Sequence, residues 1–284
     1  MLLALLMAAT LSVAATTTDL RDLVASVGGE RVRVESLTDP RHDPHARELL
    51  PRQLGQLREA ALVVRVGLDH EPWLRRAIAA AGARGVDLDL SRAVAVLDTD
   101  TPRLRVDARP HLHAYGNPHY WLDPENARPL TARIEETLAS LDPDGRAAFA
   151  THRARFLARL DAGLVRWHQQ LAPFAGTRIV VAHDTWPYFA RRFGLVIAAA
   201  VEEEPGVPPS PAHLGTLLQR MRTAGVRAVV AEPGAAPAVL RRLADATGAR
   251  IVTLAPSVGA EPEARDYIAL FDLNVARLAA ALLR

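Results

Sequence analysis

The sequence predicts an α/β protein of two parallel-sheet lobes joined by a long rigid backbone helix. Three observations carry that prediction. Short β-branched runs alternate with helical patterns along the whole chain, the signature of parallel strands covered by crossover helices. The alternation falls into two similar halves of four strands each. Between the halves, one apolar stripe continues far longer than a single crossover needs.

The elements follow in order. Leu11–Thr17 has strand character, and Thr18 or Asp19 is positioned to cap a helix over Asp19–Val27 that stops at Gly28-Gly29. Further strands are predicted at Val32–Leu37, Ala61–Val66 and Ala93–Leu97, with helices at Pro51–Ala60 and Pro72–Ala81. In the second half, strands are expected at Arg178–Ala182, Leu195–Val201, Val226–Ala231 and Arg250–Leu254. Helices are expected at Trp186–Phe193, Pro211–Ala224, Pro237–Thr247 and Glu263–Leu283. The central stripe is Phe149, Phe156, Leu160, Leu164, Trp167 and Leu171, spaced as one face of a helix. Asp142-Pro143 supplies its start and Pro173 its stop. The expected organisation is a leader remnant at 1–10, an N-terminal lobe at 11–142, a linking helix at 143–172 and a C-terminal lobe at 173–284.

Met1–Ala9 reads MLLALLMAA, which is similar to the apolar core of a secretory signal peptide, although the usual positive start is missing. The competing reading is a buried first strand. The run is too short to span a bilayer, and no other stretch is apolar for long enough. The expectation is an exported, periplasmic protein without a membrane span.

Composition narrows the chemistry. The 284 residues are 49% hydrophobic and 23% charged, a globular balance. All 34 basic residues are Arg and none is Lys, so Schiff-base chemistry and a P-loop lysine are excluded. They are interleaved with 32 acidic residues, leaving a net charge of +2 and no basic block for nucleic acid. The absence of Cys removes disulfides, thiolate metal sites and an acylated N-terminal Cys, so no lipoprotein is expected. The ten histidines remain as the main borderline-soft donors.

Three segments set a histidine beside a tight polar turn. His45 lies in TDPRHDPH after the second strand, His119 in GNPHYWLDPENA, and His183 in IVVAHDTWPY just past a strand end. Ligands gather at the carboxyl ends of strands in open α/β sheets, and both His45 and His183 sit there. A single loop histidine is usually a solvent-exposed or hydrogen-bonding residue. Three such segments suit a metal site assembled between lobes from distant loops, and neutral imidazole suits zinc better than Mg or Ca. No short zinc motif occurs, so spacing alone leaves both readings open.

Four collinear segments carry a resemblance over almost the whole chain from Leu11. They are DPHARELLPRQLGQLREAALVVRVGLDHEPWL (Asp43–Leu74), PHYWLDPENA (Pro118–Ala127), VAHDTWPYFARRFGL (Val181–Leu195) and EEEPGVPPSPAHL (Glu202–Leu214). In these segments the sequence resembles the periplasmic zinc- and manganese-binding receptors of ABC importers, the cluster A-I metal solute-binding proteins. The resemblance implies metal ligands at His45, His119 and His183. Manganese-type members carry Glu at the third position, so His183 implies Zn2+ over Mn2+. It also implies a non-enzymatic monomer whose partner is an ABC permease.

Most members carry a ligating Asp near the start of the final helix. Here that stretch is APSVGAEPEARDYIALF, so the candidates for a fourth ligand or an outer role are Glu261, Asp266 and Glu202, with water as the alternative. His42, His111 and His113 are candidates for accessory metal capture, because zinc-type members often carry a His-rich insert near the latter two. His70, His152, His168 and His213 are expected to serve packing or capping. A zinc hydrolase or hydratase remains a rival, since three histidines and water also describe a catalytic zinc. Asp184 and Glu48 would be its general-base candidates. A metal-binding adhesin on the same fold is a third reading.

Overall fold

The structure, a computed structural model, describes residues 10–40, 49–97, 115–202, 209–235 and 237–283. Residues 1–9 of the leader segment, His42, His45, Glu48, His111 and His113 lie outside the described residues.

The chain divides into two compact units. The first takes residues up to Val94 together with Ala127–Ala158, and the second takes Ala95–Asn126 together with Arg159 onward.

In the first unit, strand β1 (Leu11–Ala15) feeds helix α1 (Thr18–Gly28). The cap is Thr17, one residue before the two expected from sequence, and its hydroxyl accepts from Leu20 N at 3.3 Å. Strand β2 (Val32–Ser36), helix α2 (Pro51–Glu59), strand β3 (Leu62–Arg65), helix α3 (Leu74–Ala81) and strand β4 (Val86–Asp89) follow. The sheet is wholly parallel, in the order β2-β1-β3-β4. Strand β4 corrects the expectation of Ala93–Leu97, since residues 90–93 form a 3-10 turn instead. Strand β4 carries two aspartates and lies at the sheet edge. There Asp87 and Asp89 pair with Arg65 on β3 at 2.9 and 3.2 Å, so the carboxylates need no burial.

Helix α4 (Ala127–Leu141) precedes the long helix α5 (Arg146–Leu171), which is 26 residues and flanked by short 3-10 turns at Pro143–Gly145 and Ala172–Phe174. At about 1.5 Å per residue it runs roughly 39 Å. All six stripe residues, from Phe149 to Leu171, are buried as the periodicity predicts. Each such side chain contributes about 1.5–3 kcal/mol relative to exposure. The division between the units falls inside this helix, after Ala158.

The second unit continues with β5 (Arg178–Val181), α6 (Pro187–Arg192), β6 (Val196–Ala200), α7 (Pro211–Ala224), β7 (Ala228–Ala231), α8 (Pro237–Thr247), β8 (Arg250–Thr253) and α9 (Tyr267–Leu283). Its sheet is again parallel, in the order β6-β5-β7-β8. Helix α9 starts four residues later than Glu263, because the Asp266 carboxylate accepts from Ala269 N at 2.7 Å and fixes the first turn. No helix among the described residues is long and apolar enough to cross a membrane.

Candidate metal centre

Strand register in the second unit decides what surrounds His183. β5 is the strand between β6 and β7, and its last paired row sets Val181 beside Ala200 on one side and Val230 on the other. Two residues further along each strand bring His183 level with Glu202 and Glu232. The β5–β6 register slips by one residue after Ile179. A one-residue slip exchanges the side chains presented to each face, so without it Val201 would stand in place of Glu202. The continuation is held by Val201 N donating to Val181 O at 2.8 Å and Glu202 N to Ala182 O at 2.9 Å.

These carboxylates set the electrostatics. Glu202 Oε2 lies 3.7 Å from His183 Nδ1, ion-pair range and too long for a direct hydrogen bond. Burial works against a charged His183 ring, but Glu202, Glu232 and Asp184 outweigh it and raise its pKa. Glu232 is pushed up by burial, opposed by the Trp186 indole N–H, which donates to its Oε1 at 2.6 Å.

His119 arrives on a segment clamped to the second unit at several points. The Trp121 indole donates to Pro256 O at 3.0 Å, and the Tyr267 hydroxyl donates to Trp121 O at 2.5 Å. Asp123, buried, takes a two-pronged contact from Arg192, with Nε to Oδ1 at 2.6 Å and Nη2 to Oδ2 at 2.9 Å. The Tyr188 hydroxyl donates to Asn117 O at 2.9 Å. Asn117 in turn touches both histidine segments. Its Oδ1 lies 3.0 Å from His119 N and 3.0 Å from His119 Nδ1, while its Nδ2 donates to Asp184 O at 2.9 Å. The outcome is that the His119 and His183 rings meet edge to face with centroids 5.9 Å apart.

The remaining candidates are engaged elsewhere. Glu261 Oε2 pairs with Arg277 at 3.2 Å, and Asp266, the α9 cap, pairs with Arg159 at 3.1 Å. His152 Nδ1 lies 3.2 Å from Val27 O, the His168 ring packs on Phe193, and His70 is fully buried. His213 sits in the first turn of α7, where Ser210 caps its N–H. Among the described residues no group of three or more His, Cys, Asp or Glu side chains stands close enough to hold an ion, and the third expected imidazole, His45, lies outside them.

Sequence reasoning missed Glu232 and Asn117. Glu232 carried a usable signal, since it follows a strand directly, as His183 nearly does. Asn117 carried none beyond its place before Pro118, because the contacts that orient it, to Asp184 and Tyr188, come from residues more than sixty positions away.

A parallel sheet with His183, Glu202 and Glu232 at its strand ends places the ligand-binding side of the second unit there, by the general rule for open α/β sheets. The chain belongs to the ZnuA family, described as zinc-uptake complex component A, periplasmic, whose model matches residues 13–281. It is 32% identical over 143 residues to the high-affinity zinc uptake system protein ZnuA of Brucella abortus (strain 2308), an alignment spanning 50% of this chain and 42% of that relative. To the protein of the same name from Paracoccus denitrificans (strain Pd 1222) it is 29% identical over 244 residues, 75% of this chain and 72% of that one. A crystal structure of a zinc-bound ZnuA deletion mutant superposes with a TM-score of 0.81 at 28% identity, covering 96% of this chain and 98% of that one.

Proposed function

We propose that this protein is an exported zinc receptor that delivers Zn2+ to the permease of an ABC importer, without catalysing a reaction. The observation that carries the reading is the meeting of His119 and His183, 5.9 Å between ring centroids, in a chain of the ZnuA family. His45, His119 and His183 are the ligands in this reading, each offering a neutral imidazole to a borderline metal. Glu202 stands against Nδ1 of His183, where it supports the charge of a bound dication, and Asp184 and Glu232 add to the same field. Glu261 and Asp266 pair with Arg277 and Arg159, which favours water over either of them at the fourth tetrahedral position.

Zinc titration of metal-free protein against a competing chelator tests this. His45→Ala, His119→Ala and His183→Ala should each weaken binding by more than the roughly 10–100-fold that loss of an outer partner costs. His152→Ala, His168→Ala and Glu261→Gln should leave affinity within about twofold, an effect of less than about 0.5 kcal/mol. Wild-type affinity in His119→Ala or His183→Ala would overturn the assignment.

A further inference from the structure

Asn117 is fully buried and its amide orientation is settled by partners that each have a single role. The backbone N–H of His119 only donates, so the atom facing it at 3.0 Å must be the carbonyl oxygen, Oδ1. The backbone carbonyl of Asp184 only accepts, so the atom facing it at 2.9 Å must be Nδ2, which also lies 3.3 Å from Asp184 Oδ2. With Oδ1 thus placed, the ring nitrogen 3.0 Å from it, His119 Nδ1, has to carry the hydrogen. A neutral imidazole protonated at Nδ1 holds its lone pair at Nε2.

We infer that Asn117 is a positioning residue that holds His119 in its Nδ1–H tautomer and so presents the Nε2 lone pair to a borderline divalent cation. The inference rests on His119 being a ligand, and it adds what the ligand assignment lacks: the group that chooses the donor atom. Asn117 suits the task because the same amide reaches the segment of His183 through Asp184, while the Tyr188 hydroxyl donates to its own carbonyl at 2.9 Å. The acceptor therefore stays fixed when the imidazole is pulled by a metal. Holding the tautomer in advance spares the ion a proton rearrangement at the moment of binding.

The test compares wild type, Asn117→Ala and Asn117→Asp. Long-range proton–nitrogen correlation on histidine-labelled, metal-free protein at about pH 8, where imidazoles are mostly neutral, reads the His119 tautomer directly. Wild type should show Nδ1–H. Asn117→Ala should shift toward Nε2–H or a mixture and bind zinc about 10–100-fold more weakly. Asn117→Asp keeps an acceptor for Nδ1 but has no hydrogen to give Asp184, so it should retain the Nδ1–H tautomer and bind zinc within a few-fold of wild type. A purely structural role would make Asn117→Asp at least as damaging as Asn117→Ala, and that result overturns the inference. So does an Nδ1–H tautomer and wild-type affinity in Asn117→Ala. If Asn117→Ala does not fold, Asn117→Asp decides alone by the same two readouts. His119→Ala separates the two claims: wild-type zinc affinity there refutes the ligand assignment, whereas loss of zinc there together with an unaffected Asn117→Ala refutes only the role of Asn117.

Discussion

Glu71 shows how one side chain ties strand ends together and makes the fold sensitive to pH. It follows β3, is buried, and accepts from the Thr16 hydroxyl at 2.5 Å, from Val66 N at 2.7 Å and from Gly67 N at 3.1 Å. Burial nevertheless outweighs these donors and lifts its pKa from the usual carboxylate value to about 7. Between the ordinary value and that raised one, the folded protein holds a proton that the unfolded chain has released. Stability from this group is therefore greatest in acid and falls as pH rises toward neutrality. Glu71→Gln removes the titration. In denaturant unfolding at about pH 5 and about pH 8, the stability of wild type relative to Glu71→Gln should drop by about 1–3 kcal/mol on going to the higher pH. A pH-independent difference would show that the carboxyl keeps its ordinary pKa.

At the scale of the element, two helical glycines answer opposite demands. Gly163 lies in α5, and a Cβ there would come within 2.6 Å of the Trp167 ring. That ring cannot retreat, since it is fully buried, packs tilted against Phe271 with centroids 5.1 Å apart and donates from its indole nitrogen to Asp272 at 2.7 Å. Gly163→Ala should gain about 1 kcal/mol of helix propensity and lose about 1–3 kcal/mol to overpacking, a net destabilisation. Gly215, in α7, has open space where its Cβ would be. Gly215→Ala should stabilise by about 0.5–1 kcal/mol, so thermal denaturation of the two variants should move in opposite directions.

The helix stripe was legible because it needs only spacing along the chain, and Phe149 through Leu171 are all buried as expected. Strand β4 was not. The sequence pattern rewarded the apolar run at Ala93–Leu97, whereas the real strand carries acidic residues that an edge position and Arg65 make tolerable. Whether a strand lies at an edge depends on its neighbours in the sheet, which local pattern does not contain.

At the scale of the whole molecule, the proposed binding of zinc to the folded chain alone means that zinc must stabilise it. Free zinc at about a hundred times its dissociation constant should raise the unfolding free energy by about 2.7 kcal/mol. Calorimetry at several zinc concentrations should show a midpoint that climbs with zinc in wild type and stays flat in His119→Ala. A flat response in wild type would count against specific binding to the folded chain.

Taken alone, the sequence determined the alternation of strands and helices, the burial of the long helix's apolar face, the family resemblance and the two turns that carry His119 and His183. These are properties of residues near one another along the chain, where periodicity, caps and prolines act. Tertiary structure decided that residues 95–97 and 115–126 belong with the second unit, that a one-residue register slip sets Glu202 level with His183, and that Asp184 and Tyr188 hold Asn117 in place. Each of those outcomes depends on lateral pairing or burial between residues far apart in the chain, and hydrogen-bond geometry at that range exists only once the strands have docked.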